Sequence, residues 1–258
     1  MTSIRSGTIR LDGGGAYYEV QGEGEPMLLL HGGMATLREW DAIIPLLTDR
    51  FQTIAYDRAG IGRSSGRAFQ ADIVANGVEE LAAIKESLGL ERVYLFGSCI
   101  GGAIALSYAA RSPASVRSVM TTGVLFHGDE RLRQRLATAF RPWAGMPRAF
   151  HDMMRRLQGE ADLERAYETF RCMYTQSAPV GYASSPDYDL RGELPKIKCR
   201  TLTVHGDRDP FWGVEQPASS YTLLAEGALW VLPRCAHYPH VEYPALVATQ
   251  ARMFFTES

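Results

Sequence analysis

Hydrophobic positions along the chain follow two rhythms that take turns. Residues 8–10 and 16–21 alternate apolar and polar on either side of Asp12-Gly13-Gly14-Gly15, the period-two pattern of an opening β-hairpin. After the turn Gly22-Glu23-Gly24-Glu25-Pro26, the alternation gives way to a continuous apolar run at 27–30, the pattern of a strand covered on both faces, and then to a second buried strand at 51–56. Further strand-forming runs follow at 93–96, 116–123, 199–204 and 228–232. Between them the period lengthens to that of helices. One is predicted after His31-Gly32-Gly33-Met34, through Trp40, Ile43, Ile44 and Leu47. A second spans 72–88 with Ile73, Val78, Leu81, Ile84 and Leu88 on its apolar face and Gly89 as its stop. Others cover 100–111, closed by Ser112-Pro113, then 214–225 and 244–255. Strand and helix alternating in this way imply a mostly parallel sheet with right-handed crossovers and helices on its flanks.

The rhythm breaks between Phe126 and Pro195. Amphipathic pieces at 131–140, 149–157 and 163–173 follow one another without strands, ending in a turn-rich tail at 178–189. Helical patterns inserted into an α/β alternation predict a helical cap over the strand ends, where such sheets bind ligands. The expected organisation is an α/β core of residues 1–125 and 196–258, interrupted by a cap at 126–195.

Composition narrows the function rather than the fold. A chain of 258 residues with 46% hydrophobic and 22% charged positions suits one large domain. Its formal net charge of −2 offers no electrostatic case for nucleic acid or an anionic membrane as partner. No apolar run approaches a membrane span, and the opening Met1-Thr2-Ser3-Ile4-Arg5 lacks the apolar core of a secretory signal. Cys99, Cys172, Cys199 and Cys235 form no CxxC pair, so neither a metal site nor a disulfide framework is expected. A cytoplasmic protein with reduced thiols is the expectation. No Gly-x-Gly-x-x-Gly follows a strand and no phosphate loop is present, so no cofactor is expected.

The chemistry gathers at Gly97-Ser98-Cys99-Ile100-Gly101-Gly102. A strand stops at Gly97 and a helix starts at once, so the chain must turn sharply at Cys99. Glycines two before and two after it remove Cβ atoms that would clash in so tight a turn. The Cys99 side chain is thereby forced out above the sheet edge, over the positive end of the helix. This is the spacing of a nucleophile elbow, normally written around serine. Ser98, one residue earlier, should point the other way.

Together with His31-Gly32-Gly33, Asp57-Arg58-Ala59-Gly60-Ile61-Gly62-Arg63-Ser64, His205-Gly206-Asp207-Arg208-Asp209-Pro210 and Cys235-Ala236-His237-Tyr238-Pro239-His240-Val241-Glu242-Tyr243-Pro244, the elbow resembles the α/β-hydrolase superfamily in the order of its motifs. The resemblance implies a Cys99–His237–Asp209 triad. Asp207 is a rival acid that reads as a turn former, and superfamily members with the acid after an earlier strand direct attention to Asp129. By the same resemblance the backbone N–H groups of Ile100 and Gly33 form an oxyanion hole. Met34, Ser98 and His240 are candidates for the pocket wall, while His31 braces the glycine loop and Asp57, Arg58, Gly60, Gly62 and Ser64 are structural.

Cysteine in place of serine permits a preformed thiolate–imidazolium pair and a thioester acyl-enzyme. Some superfamily members with a cysteine elbow are dienelactone hydrolases, others cyclases that close tetramate or pyridone rings. The Cys-x-Gly-Gly here is similar to the former, while the His-Gly-Gly loop and long insertion are similar to the capped esterases and carbon–carbon hydrolases. The expected activity is cofactor-free hydrolysis of an ester, thioester or lactone, with a small acyl compound as the only partner. The alternatives are an acyltransferase or cyclase using the same acyl-cysteine, and a ligand-binding protein on a hydrolase scaffold.

Overall fold

The protein is described by a computed structural model over residues 3–33, 35–66, 72–128 and 188–256. Its centre is an eight-stranded sheet in the order β1-β2-β4-β3-β5-β6-β7-β8. The strands are β1 (Arg5–Leu11), β2 (Gly14–Gln21), β3 (Glu25–Leu30), β4 (Phe51–Tyr56), β5 (Val93–Ser98), β6 (Val116–Thr122), β7 (Arg200–Gly206) and β8 (Gly227–Leu232). The β1–β2 hairpin and the β2–β4 pairing are antiparallel, and every pairing from β4 to β8 is parallel. The α/β fold with a mostly parallel sheet is the one the sequence predicts.

The continuous apolar run of β3 is required because the centre of the sheet is covered on both sides. In β3, Leu28 and Leu30 join one buried cluster while Met27 and Leu29 join the other. On the first face lie α1 (Ile73–Ser87) and α2 (Ile100–Arg111); on the second lie Trp40 and α5 (Pro244–Thr256), through Val247, Ala248, Ala251, Phe254 and Phe255. Burying each such side chain stabilises the fold by about 1.5–3 kcal/mol, so a polar residue in β3 has no harmless face. Helix α1 begins where the Asp72 side chain accepts from the Ala75 N–H and stops at Gly89, whose φ of +65° closes the turn.

Two predicted helices differ in the structure. The segment after β3 forms two 3₁₀ turns, Leu37–Trp40 and Ile44–Leu46, instead of one helix. Leu37, Trp40 and Ile43 are spaced by three, which suits a 3₁₀ turn as well as an α-helix. The predicted helix at 214–225 is α3 (Glu215–Ser220) followed by a 3₁₀ turn, Tyr221–Leu223. There the Ser219 and Thr222 hydroxyls bond carbonyls three residues back and compete with the helical ladder. His240 precedes the last helix. It lies in a separate short helix, α4 (Pro239–Glu242), because Pro244 starts α5 without a donor N–H.

Most of the predicted cap, including Asp129, lies outside the described residues. Its two ends meet: Gly128 N–H donates to the Tyr188 carbonyl at 3.0 Å and Leu190 N–H to that of Phe126 at 2.9 Å. Among the described residues, no helix is long and apolar enough to cross a membrane.

Candidate active site

Cys99 stands between β5 and α2 with φ 50° and ψ −117°, a conformation that L-residues rarely adopt. The turn is held by the Cys99 N–H donating to the Thr122 carbonyl at 2.9 Å and by the Ala103 N–H donating to the Cys99 carbonyl at 3.2 Å. Its flanking glycines are sterically required: a Cβ on Gly101 would lie 2.1 Å from the Leu30 carbonyl oxygen, and one on Gly97 would lie 2.5 Å from that of Gly101. Cys99 is buried, with 3% of its surface exposed. Its neighbours are not aliphatic alone. The His237 imidazole and the Tyr188 phenol both feel the Cys99 sulfur, and Gly32 faces the Cys99 Cβ from the loop after β3.

His237 arrives on the connection after β8 and is fully buried. Its Nδ1 lies 2.7 Å from Asp209 Oδ2, and because a carboxylate only accepts, Nδ1 carries the hydrogen. Nε2 is left on the side of Cys99. Burial works against an imidazolium here, but the Asp209 carboxylate and the Cys99 side chain outweigh it and raise the pKa to about 10. Asp209 is itself anchored, its Oδ1 accepting from the N–H groups of Phe211 at 2.8 Å and Trp212 at 3.4 Å. The rings of Phe211, Trp212 and Tyr238 present near-perpendicular faces to His237, with centroids 4.8, 5.0 and 4.7 Å away. These aromatics exclude water from the imidazole and fix its plane.

The rivals go elsewhere. Asp207 Oδ1 accepts from the Cys235 N–H at 3.2 Å, and so closes a turn. Asp57 accepts from the N–H groups of Leu37 and Arg63, and Ser64 Oγ donates to its carbonyl. His205 Nε2 meets the Trp212 carbonyl at 3.2 Å and lies 3.9 Å from Asp209. Burial pushes the Cys199 thiol up to about 11 and the Cys235 thiol higher still, which keeps both protonated.

Beside Cys99, the Gly32 residue is bonded on both sides. Its N–H donates to Glu39 Oε2 at 2.7 Å; its carbonyl meets His31 Nδ1 at 2.7 Å and accepts from Arg58 Nη2 at 3.2 Å. The Arg58 N–H donates to His31 Nε2 at 3.1 Å, so the hydrogen of His31 is on Nδ1. Burial, then the nearby Arg58, hold His31 neutral by lowering its pKa to about 3. Ile100 is the first residue of α2, where backbone N–H groups have no partner within the helix.

Of the residues expected at the pocket wall, Ser98 and His240 are fully buried and Met34 lies outside the described residues. His240 Nε2 lies 2.8 Å from Glu39 Oε1 and its Nδ1 lies 2.9 Å from Thr122 Oγ1, with Ser98 against the same carboxylate. Sequence reasoning passed over Glu39 and Tyr188. Glu39 shares its stretch with Arg38 and Asp41, so nothing along the chain marked it as the acid that is buried.

Comparison with known proteins gives the same architecture. The family model described as the alpha/beta hydrolase fold matches residues 25–244. The chain is 28% identical over 242 residues to 2-hydroxy-6-oxo-2,4-heptadienoate hydrolase of Pseudomonas putida, covering 86% of this chain and 85% of that protein. It is 28% identical over 248 residues to the pimeloyl-[acyl-carrier protein] methyl ester esterase of Nitrosospira multiformis, covering 88% and 93%. An esterase from Rhodococcus sp. ECU1013 superposes with a TM-score of 0.86 at 22% identity, over 99% of both chains.

Proposed function

The chain belongs to the α/β-hydrolase fold family, and on that premise we propose that it is a cofactor-free hydrolase of an ester, thioester or lactone that works through an acyl-cysteine. The observation that carries this reading is His237 standing between Asp209 and the Cys99 side chain, with its pKa raised by both. Its relatives include a 2-hydroxy-6-oxo-2,4-heptadienoate hydrolase and a methyl ester esterase, and both support hydrolysis as the reaction class. We place the protein in the cytoplasm and take its substrate to be a small acyl compound. We propose residues 126–195 as the cap, a reading supported by the hydrogen bonds between 126–128 and 188–190 and by the Tyr188 phenol sensing Cys99.

In this mechanism the Cys99 sulfur attacks the substrate carbonyl while His237 holds the proton on Nε2. The carbonyl oxygen becomes an oxyanion, met by the N–H groups of Ile100 and Gly33. Collapse breaks the bond to the leaving alkoxide or thiolate, which takes the proton from His237 Nε2. A thioester remains on Cys99. Water then gives a proton to His237 and attacks the thioester, and collapse releases the acid and restores the thiolate–imidazolium pair. Throughout, Asp209 keeps the imidazole in one tautomer and balances its charge.

Intact-protein mass spectrometry after exposure to a panel of aryl esters, thioesters and lactones tests this. The expected result is one acyl adduct, mapped to Cys99 and absent from Cys99→Ala. An adduct that persists in water but leaves on adding an amine or thiol makes the protein an acyltransferase. Unaltered mass with every substrate, and a Cys99 thiol no more reactive than Cys199, leaves a binding protein.

A further inference from the structure

The mechanism asks for a donor N–H at Gly33, and a set of buried side chains converges on the residue before it. Gly32 sits at the centre of them. On its N-terminal side the N–H is fixed by Glu39; on its C-terminal side the carbonyl is fixed by neutral His31 and by Arg58. No peptide bond among the described residues is cis. In a trans peptide the carbonyl and the following N–H point in opposite directions. The clamp on the Gly32 carbonyl therefore sets the direction of the Gly33 N–H, away from His31 and Arg58.

We propose that Glu39, acting with His31 and Arg58, is the positioning residue for the Gly33 oxyanion donor. This rests on Cys99 being the acyl acceptor. Glu39 is suited to the role because its carboxylate is a hub rather than a single contact. Burial disfavours its charge, yet His240, Ser98 and the Gly32 N–H together hold its pKa below the usual carboxylate range. Through His240 and Thr122 the same carboxylate reaches β6, whose Thr122 carbonyl receives the Cys99 N–H. The glycine loop and the elbow are thus referenced to one buried anion.

The test compares two reactions at Cys99. Hydrolysis of an activated aryl ester generates an oxyanion; alkylation by iodoacetamide displaces iodide at a saturated carbon and does not. For Glu39→Ala, kcat on the ester should fall by about 10²-fold, the loss typical of one oxyanion donor, with KM unchanged and the alkylation rate within about twofold of the parent. Glu39→Gln should restore most of the kcat, because its amide oxygen can still accept from Gly32 while His240 changes tautomer. Equal losses in both reactions, or no loss in either, would overturn the proposal. Should Glu39→Ala fail to fold, Arg58→Met removes one donor to the carbonyl of the Gly32 residue whose N–H Glu39 holds, and must show the same selective loss at smaller size; an unchanged kcat there also overturns it. If the parent protein forms no acyl adduct at Cys99, the underlying reading fails instead, and the alkylation data show it separately.

Discussion

His237 and His240 stand three residues apart on the connection after β8, and each meets a buried carboxylate. Asp209 Oδ2 is 2.7 Å from His237 Nδ1, and Glu39 Oε1 is 2.8 Å from His240 Nε2. Both imidazoles are fully buried and both are faced by aromatic rings, Phe211 and Trp212 for one, Trp40 and Phe96 for the other. What separates them is the second nitrogen. That of His240 meets the Thr122 hydroxyl, which completes a closed structural network. That of His237 is turned toward a thiol on a strained turn. A histidine–carboxylate pair is therefore no signature of catalysis by itself. The group on the far nitrogen decides, and on the proposed function only His237 has a reactive one.

The largest expected difference is in turnover. His237→Asn removes the proton acceptor, and Cys99→Ala removes the nucleophile; each should lower kcat/KM on an aryl ester by about 10³-fold or more. His240→Asn should lower it by no more than about 10²-fold, the scale of a modest misplacement of reacting groups. Steady-state kinetics on the purified variants checks both. Equal losses at 237 and 240 would erase the distinction between the pairs.

Stability should rank them the other way for a nonpolar replacement at 240. His240→Leu strips a hydrogen-bond partner from a fully buried carboxylate, and losing a hydrogen bond to a charged group costs about 1.5–3 kcal/mol. Urea unfolding should register the loss as a lower midpoint. Adding Glu39→Gln to that variant removes the unpaired charge and should recover part of it. If His240→Leu unfolds at the parental midpoint, the Glu39 network is not structural.

Much of the site could be read along the chain because its parts are local. The elbow needs Gly97 and Gly101 within two residues of Cys99, since a Cβ at either would meet backbone, and such requirements leave a spacing. Covering the centre of the sheet on two faces likewise leaves apolar and strand-forming runs, which made β3 to β7 legible, while half-exposed β8 was legible from its run of strand formers at 228–232. The Glu39–His240 pair leaves no such trace, because its members are brought together only by the crossing of β3 and the connection after β8. The 3₁₀ turns after β3 were missed for a related reason: Leu37, Trp40 and Ile43 satisfy either helical period, and tertiary packing chose.

Protonation offers a sharper contrast, between His237 and His31. His237 should keep its proton from the ordinary 6.5 up to about 10, so its share of stability is complete below pH 6.5 and is lost as pH rises through 10. His31 stays neutral down to about 3; its share is complete above the ordinary 6.5 and is lost as pH falls toward 3. Each contributes a slope of about 1 kcal/mol per pH unit inside its window. Imidazole NMR titration should find His237 protonated at pH 8 and His31 neutral at pH 5. A His237 that titrates near 6.5, unchanged by Asp209→Asn, would detach it from Asp209 and Cys99.

The smallest effect concerns the backbone beneath the sulfur. Cys99 holds φ 50°, where a Cβ is strained and glycine is not. Relief of that strain gains about 1–3 kcal/mol, against about 0.5–1 kcal/mol for the greater chain entropy of glycine when unfolded. Cys99→Gly should therefore be more stable than Cys99→Ala by about 1 kcal/mol, both being inactive. Thermal unfolding of the two variants side by side measures it, since neither retains the thiol and only the Cβ differs. A glycine variant that melts at or below the alanine variant means that the elbow holds Cys99 without strain. The asymmetry between the two histidine pairs would then rest on the sulfur alone, and the turn that carries it would be as relaxed as the network behind it.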